Sequence, residues 1–307
     1  MSGIVYVALQ KFCESGDEPR RILQEVGLQV MENPFGRRLH REEMADLLKQ
    51  AEAVLAGVEP YDAQLLARLP KLRCISRCGT GTDSVDLDAA RQQGVVVLTT
   101  PDEVVEPVAQ LTLGMILALA RQFPQHVRNF ESGKWSKQTG FLLSEWTIGF
   151  IGFGRIGQAV ERLLRPLGSK ILVCDPGVSS GNLLSGIEQV ALGDLLARSD
   201  LVSLHASRRP EDGPILGRTE IRRMKTGSFL VNTARGTLVD ETALVEALSS
   251  GHLGGAALDV YEKEPYQGPL GKMPQVLCTP HVATLTRASR AAMELRCARN
   301  VVEFFRG

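Results

Sequence analysis

Several features are missing from this chain of 307 residues, and each absence removes a class of function. No sign of charge is in excess. Lys+Arg and Asp+Glu both total 35, so the electrostatic footprint that nucleic acid requires is lacking. The pairs Arg20-Arg21, Arg37-Arg38 and Arg222-Arg223 are too short to form a basic stripe and read as solvated faces. No C-x-x-C pair or His-rich cluster occurs, so no metal is expected. The six cysteines (Cys13, Cys74, Cys78, Cys174, Cys278 and Cys297) fall mostly in apolar strand-like runs, as reduced thiols of a cytoplasmic protein would. The longest apolar run, near Leu111 to Ala120, is short of a membrane span. Ile4 to Leu9 lacks a basic leader and is too short for a signal peptide. Repeats and low-complexity segments are also missing. A chain of this length suggests about two domains, each able to bury a core.

The most informative stretch that is present runs from Thr147 to Gly157, with Gly152, Gly154 and Gly157 spaced as G-x-G-x-x-G between a strand-like and a helix-like run. Gly152 permits a tight turn, Gly154 lets the backbone approach a pyrophosphate, and Gly157 lets helix and strand pack closely. Phosphates would then sit on the unpaired N–H groups of the helix start. A second strand, Ile171 to Cys174, ends at Asp175, which can bond a ribose diol. The spacing alone is weak. The strand, helix, second strand and terminal acid around it point to a dinucleotide site.

β-Branched runs at Ile4–Leu9, Leu28–Met31, Ala53–Ala56, Leu72–Ser76 and Val95–Leu98 alternate with amphipathic segments at Glu18–Val26, Arg41–Gln50, Asp62–Leu69 and Asp86–Gln93. A second series comprises Trp146–Ile151, Lys170–Cys174, Leu201–His205, Ser228–Asn232, Gly255–Leu258 and Val276–Cys278, with helices starting near Arg155, Leu192, Arg218 and Asp240. Such alternation predicts an α/β protein with two doubly wound parallel sheets. Asp102 to Arg121 reads as a long helix buried between the domains. Arg287 to Phe305 reads as a helix that returns to the first domain. The expected division is 1–100 with 283–307 as one domain and 101–282 as the other, with a ligand cleft at the two crossings.

Three groups could run hydride chemistry. Asn232-Thr233-Ala234-Arg235-Gly236 follows a strand, and the guanidinium fork of Arg235 suits a planar carboxylate. Acids at Asp259, Glu262 and Glu264 follow another strand, and alone they mean little. His281 ends a third apolar run; at the mouth of a dinucleotide cleft, imidazole is the usual near-neutral proton carrier. Spacing does not establish that Glu264 meets His281.

Together with Gly152-x-Gly154-x-x-Gly157, Asp259, Glu264-Pro265 and Pro280-His281, these motifs resemble the D-isomer-specific 2-hydroxyacid dehydrogenase family. Arg77-Cys78-Gly79-Thr80-Gly81-Thr82-Asp83, Ala120-Arg121-Gln122 and Gly133-Lys134-Trp135 resemble most its phosphoglycerate dehydrogenase branch. The resemblance covers nearly the whole chain. It implies two Rossmann-like domains, NAD as cofactor, a small anionic substrate and a homodimer, with no membrane or nucleic-acid partner. The discontinuous domain would bind substrate and 101–282 would bind NAD. Arg235 would hold the substrate carboxylate or keto oxygen, His281 would be the acid/base, and a buried Glu264 would orient it and stabilise the imidazolium. Asp259 would bond the nicotinamide carboxamide, while Thr80, Arg155, Ile156, Ala206, Thr233 and Ala234 would line the cofactor. The N–H groups of Gly79-Thr80-Gly81 would meet carboxylate charge. Arg77, beside Gly79, and Lys137, matching a basic position that reaches a neighbouring subunit's site, suggest a second anionic group on the substrate. The blander role for Arg77 is pairing with Asp83 or Asp102.

The chain departs from the family at Gln110, where an acid is usual, at Ala206-Ser207-Arg208-Arg209, where a proline is usual, and at Val282-Ala283-Thr284. These bear on substrate more than on reaction. No regulatory domain of the kind found in many phosphoglycerate dehydrogenases follows Gly307, so direct control by serine is not expected. Asp175 favours NAD over NADP, with Arg208 and Arg209 the only argument against. The rival class is a non-catalytic NAD-binding regulator, like the corepressors built on this fold, which keep the same Arg–Glu–His set.

Overall fold

A computed structural model describes residues 3–178, 184–207 and 212–307. Arg208 and Arg209 lie outside the described residues. From the N-terminus the elements are β1 (Gly3–Val7), α1 (Glu18–Glu25), β2 (Leu28–Glu32), α2 (Arg41–Leu47), β3 (Ala53–Ala56), α3 (Ala63–Leu66), β4 (Cys74–Arg77), α4 (Leu87–Gln92) and β5 (Val96–Leu98). There follow α5 (Val105–Ala120), α6 (Phe123–Glu131), β6 (Thr147–Ile151), α7 (Arg155–Leu164), β7 (Lys170–Cys174), β8 (Ile187–Gln189) and α8 (Leu192–Arg198). The chain closes with β9 (Leu201–Leu204), α9 (Arg218–Arg223), β10 (Ser228–Asn232), α10 (Glu241–Ser249), β11 (Leu253–Leu258), β12 (Val276–Cys278) and α11 (Arg287–Arg306).

The chain divides into two compact units, residues 1–104 with 284–307, and residues 105–283. The division falls within a few residues of positions 100 and 283.

The first unit is a five-stranded parallel sheet in the order β2-β1-β3-β4-β5. Side chains alternate across it, as the period of two in a strand requires. Val5, Val7, Ala53, Leu55 and Cys74 point toward α1 and α11, whereas Tyr6, Val54, Ala56 and Ile75 point toward α2, α3 and α4. Several helices start on a side-chain cap: Asp62 accepts from Leu65 N–H, Asp86 from Ala89 N–H and Thr286 from Ser289 N–H.

The second unit is a seven-stranded parallel sheet in the order β12-β11-β10-β9-β6-β7-β8. One face (Leu172, Val202, Leu204, Leu230, Ala256, Leu258) packs on α8, α9 and α10. The other (Ile148, Phe150, Ile171, Val173, Val231, Ala257) packs on α5 and α7. Both sheets are thus buried on two faces, as an α/β doubly wound fold demands. The chain steps outward from β6 to β7 and β8, then returns to β9 on the other side of β6, so its strand order reverses at β6.

Two elements were not expected, β8 and α6. The helix expected from Asp102 begins at Val105 and packs within its own unit on α7, β10 and β11. All six cysteines are free thiols. Among the described residues no helix is long and apolar enough to cross a membrane.

Candidate active site

At the exit of β6 the three glycines of the second unit do three different jobs. Gly152 has φ +89°, and a Cβ there would sit 2.6 Å from Ala206 N and 2.7 Å from the His205 carbonyl carbon. No other residue fits. A Cβ on Gly157 would lie 2.9 Å from Gly152 O, so α7 rests directly on the turn. Gly154 differs, since a Cβ there would meet nothing within 4 Å. It caps α7, and beyond its open side stand Arg155 and the half-buried Ile156 at the helix start.

Asp175, at the exit of β7, closes the turn from the other side. Its Oδ2 accepts from Phe153 N–H at 2.6 Å and its Oδ1 from Gly177 N–H at 2.7 Å. Each carboxylate oxygen keeps a further lone pair. Beneath the turn, His205 Nε2 and Ser203 Oγ are 2.9 Å apart, the ring stacks on Phe150, and Nδ1 finds no partner among the described residues. Burial pushes this imidazole down to about 3, so it is neutral.

A second cluster gathers at the exits of β10, β11 and β12, which are adjacent in the sheet. The Asn232 side chain folds its own loop: Oδ1 accepts from Ala234 N–H at 3.0 Å and Nδ2 donates to Arg235 O at 2.8 Å. Thr233 Oγ1 lies 2.8 Å from Thr112 Oγ1 on α5, whose hydroxyl also reaches Val108 O at 2.8 Å. The Arg235 guanidinium is partly exposed, and its Nη1 donates to Ala234 O. Gly236 sits where a Cβ would be 1.8 Å from the Tyr261 carbonyl carbon, which locks this loop against the one that carries Glu264.

There the structure brings Glu264 and His281 together. His281 Nδ1 is 2.8 Å from Glu264 Oε2, and Glu264 Oε1 accepts from Tyr261 N–H at 3.2 Å. Glu264 is not the buried carboxylate expected from the resemblance. Its side chain is 38% exposed and that of His281 is 50% exposed. The sequence misled because the acid follows Asp259 by five residues, far enough to leave the sheet for a surface loop. His281 occupies the left-handed region at φ +52°, uncommon for a residue with a Cβ.

What holds it there is Asp259. This carboxylate is fully buried, and it accepts from Thr279 Oγ1 at 2.6 Å, Val282 N–H at 2.8 Å and Ala283 N–H at 2.9 Å. Asp259 thus ties down the His281 loop, and its Oδ2, which accepts only from Ala283 N–H among the described residues, keeps a lone pair for a further donor.

Arg77, Gly79 and Thr80 belong to the first unit, at the exit of β4. Gly79 has φ +140°, and its N–H donates to Thr100 Oγ1 at 2.8 Å. That removes one of the three turn amides expected to meet a carboxylate. Thr80 is exposed, Gly81 is partly so, and among the described residues neither N–H has a partner within the protein. Arg77 is mostly buried. Its guanidinium lies over Gly79, donates to Cys78 O and feels the charge of Glu59. Lys137 is exposed in the second unit, and Gln110 on α5 donates to Glu106 at 2.8 Å. Sequence reasoning missed Thr112, Thr100 and Glu59; hydroxyls and a lone acid inside regular elements carry no motif.

The sequence profile of the D-isomer specific 2-hydroxyacid dehydrogenase NAD binding domain matches residues 113–283. The chain belongs to that family. D-3-phosphoglycerate dehydrogenase of Mycobacterium tuberculosis is 36% identical over 271 residues, which is 87% of this chain and 51% of the relative. The chain therefore spans about half the length of the curated relatives it matches. The crystal structure of TT0316 protein from Thermus thermophilus superposes with a TM-score of 0.87 at 34% identity, covering 97% of this chain and 96% of that one. D-Lactate dehydrogenase from Aquifex aeolicus, solved with NAD and lactic acid, has a TM-score of 0.85 at 27% identity and covers 99% and 96%. The family's cofactor fits what is present: an open Gly154, the amide-rich start of α7, and a carboxylate at the exit of β7.

Proposed function

We propose that this family member is an NAD-dependent oxidoreductase interconverting a small D-2-hydroxy acid and its 2-keto acid. The observation that carries this reading is the 2.8 Å contact between His281 Nδ1 and Glu264 Oε2. A carboxylate only accepts, so Nδ1 bears the proton and the Nε2 lone pair is left to take a proton from a substrate hydroxyl. In the reverse direction the doubly protonated ring donates it. Arg235 would hold the carboxylate through its fork, with Thr80 and Gly81 N–H as further donors. The Gly152–Gly157 turn would seat the pyrophosphate, lined by Arg155, Ile156, Ala206, Thr233 and Ala234. Asp175 would accept from the ribose diol and repel a 2′-phosphate, which favours NAD over NADP. When bound, NAD supplies the hydride acceptor.

The first candidate substrate is doubly anionic, 3-phosphoglycerate or a sulfonated or dicarboxylic analogue. Similarity to D-3-phosphoglycerate dehydrogenases and the exposed Lys137 support it. One observation favours a second reading, a singly charged acid such as lactate. Arg77, the other expected cation, is mostly buried and faces Glu59. Turnover of NAD with a panel containing 3-phosphoglycerate, sulfolactate, D-lactate and glycerate decides between them. His281→Ala should lower turnover by roughly 10²- to 10⁴-fold while NAD affinity changes little. Wild-type turnover surviving in that variant would refute the assignment. NAD binding without turnover of any acid would favour the regulator.

We further propose a cytoplasmic homodimer. The free thiols suit a reducing compartment. Phe123, Val127 and Phe130 lie at helical spacing along α6 and are exposed, followed by exposed Trp135 and Leu142. A patch of this kind seeks cover, and zero net charge sets no long-range repulsion against a second copy. Light scattering should give twice the chain mass of 33.4 kDa, and Phe130→Glu should return it to the monomer. A monomeric wild type at micromolar concentration would exclude the dimer.

A further inference from the structure

In the first unit, β3 and β4 run side by side, with Ala56 opposite Arg77 and Cys78 N–H bonded to Ala56 O. At each exit a charged side chain folds back over a glycine. The Glu59 carboxylate covers Gly57, where a Cβ would be 2.6 Å from Oε2. The Arg77 guanidinium covers Gly79, where a Cβ would be 2.9 Å from Nη1. Nη1 also donates to Cys78 O, so Arg77 grips the turn at the peptide that precedes Gly79.

Glu59 is 2% exposed, and its Oε2 has no hydrogen-bond partner among the described residues. The same holds for Arg77 Nε, Tyr61 OH, Tyr6 OH and Ser84 Oγ. Tyr61 and Ser84 are joined by the bond from Tyr61 N–H to Ser84 O. Buried polar atoms left unsatisfied are costly, and Glu59, Arg77 and Tyr6 all act electrostatically on the buried Tyr61 hydroxyl, so these groups lie close together. Both charges feel this burial, which raises the Glu59 carboxyl and lowers the Arg77 guanidinium from their ordinary ranges. Arg38, bonded to Val58 O, is the other cation near the acid.

We propose that Glu59 is a positioning residue for the turn Gly79–Gly81, acting as the buried counter-charge of the Arg77 guanidinium that lies over Gly79. The role assigned to that turn, presenting Thr80 and Gly81 N–H to a substrate carboxylate, rests on the proposed dehydrogenase reading. Glu59 does not touch substrate. Removing its charge leaves Arg77 a buried cation with no counter-charge on its own side, and the grip on Cys78 O loosens.

The test compares Glu59→Gln, Arg77→Met and the double variant in the full chain. Glu59→Gln should raise KM for the 2-hydroxy acid about tenfold, with kcat and the Kd for NAD within twofold. The double variant should be no worse than Arg77→Met alone, because both act along one line. Gly57→Ala provides an independent route: its Cβ displaces the carboxylate while keeping the charge, and should give the same split. Hydrogen exchange of the 78–83 segment should rise in all the variants, and it reads the turn without turnover. If the wild type oxidises no 2-hydroxy acid, the dehydrogenase reading fails and the exchange measurement alone judges Glu59. Equal loss in kcat and KM, multiplicative effects, or a melting temperature that falls while KM and exchange stay fixed would overturn the positioning role.

Discussion

His205 shows how burial alone sets a residue's protonation state. The ring is enclosed by the turn at Gly152 and the Phe150 side chain, and it stays neutral down to about pH 3. In the unfolded chain it titrates near its ordinary 6.5. Below that value the unfolded state takes up a proton that the folded state refuses, so stability falls as the pH drops from 6.5 toward 3. The slope is about 1.4 kcal/mol per pH unit, or on the order of 2 kcal/mol between pH 6.5 and 5. Urea unfolding at pH 7.5 and 5.0 should show the wild type losing that much more than His205→Gln, which cannot titrate. Identical losses would mean the imidazole charges in place. Asp259 is the opposite case, a buried carboxylate whose charge is met by donors from Thr279, Val282 and Ala283.

Elements differed in how far they could be read from residues alone. β1, β3, β6, β7 and β10 are short, mostly apolar runs whose central residues are buried on both faces, and composition marks such runs. β8 was invisible because Ile187-Glu188-Gln189 is an edge strand with only one apolar residue. α6 was missed for a related reason. Its Phe123, Val127 and Phe130 do have helical spacing, but no expected sheet needed covering there. The glycine turn was legible since each glycine answers a steric demand of the backbone. Glu264 was legible as a candidate, but its contact with His281 depends on two loops from different strands, which spacing cannot encode. Glu59 and Thr112 gave no signal, because their roles lie in what they face. Helix α11 tests the same logic energetically. Met293 is buried in the cluster that also holds Leu23 of α1, so Met293→Ala and Leu23→Ala should each cost about 2–5 kcal/mol. Denaturant unfolding would measure it, and a loss below 1 kcal/mol would mean the cluster collapses around the gap.

At the scale of the whole molecule, the chain leaves its first unit after Val104 and re-enters it at Thr284. The excursion between them is uninterrupted, and both faces of its sheet are covered by helices it encodes itself. The first unit has no such independence. Val5, Val7, Leu55 and Cys74 are covered partly by Met293, Cys297, Ala298 and Val301, which belong to the segment 284–307, beyond the whole of 105–283 along the chain. During synthesis this sheet must therefore wait, with one apolar face part-bare, until residues 284–307 have left the ribosome. Dissection of the gene inherits the same asymmetry. A fragment for 105–283 carries a complete core and can be moved as a module, whereas 1–104 alone exports an unfinished sheet that has to find its missing helix in trans or aggregate.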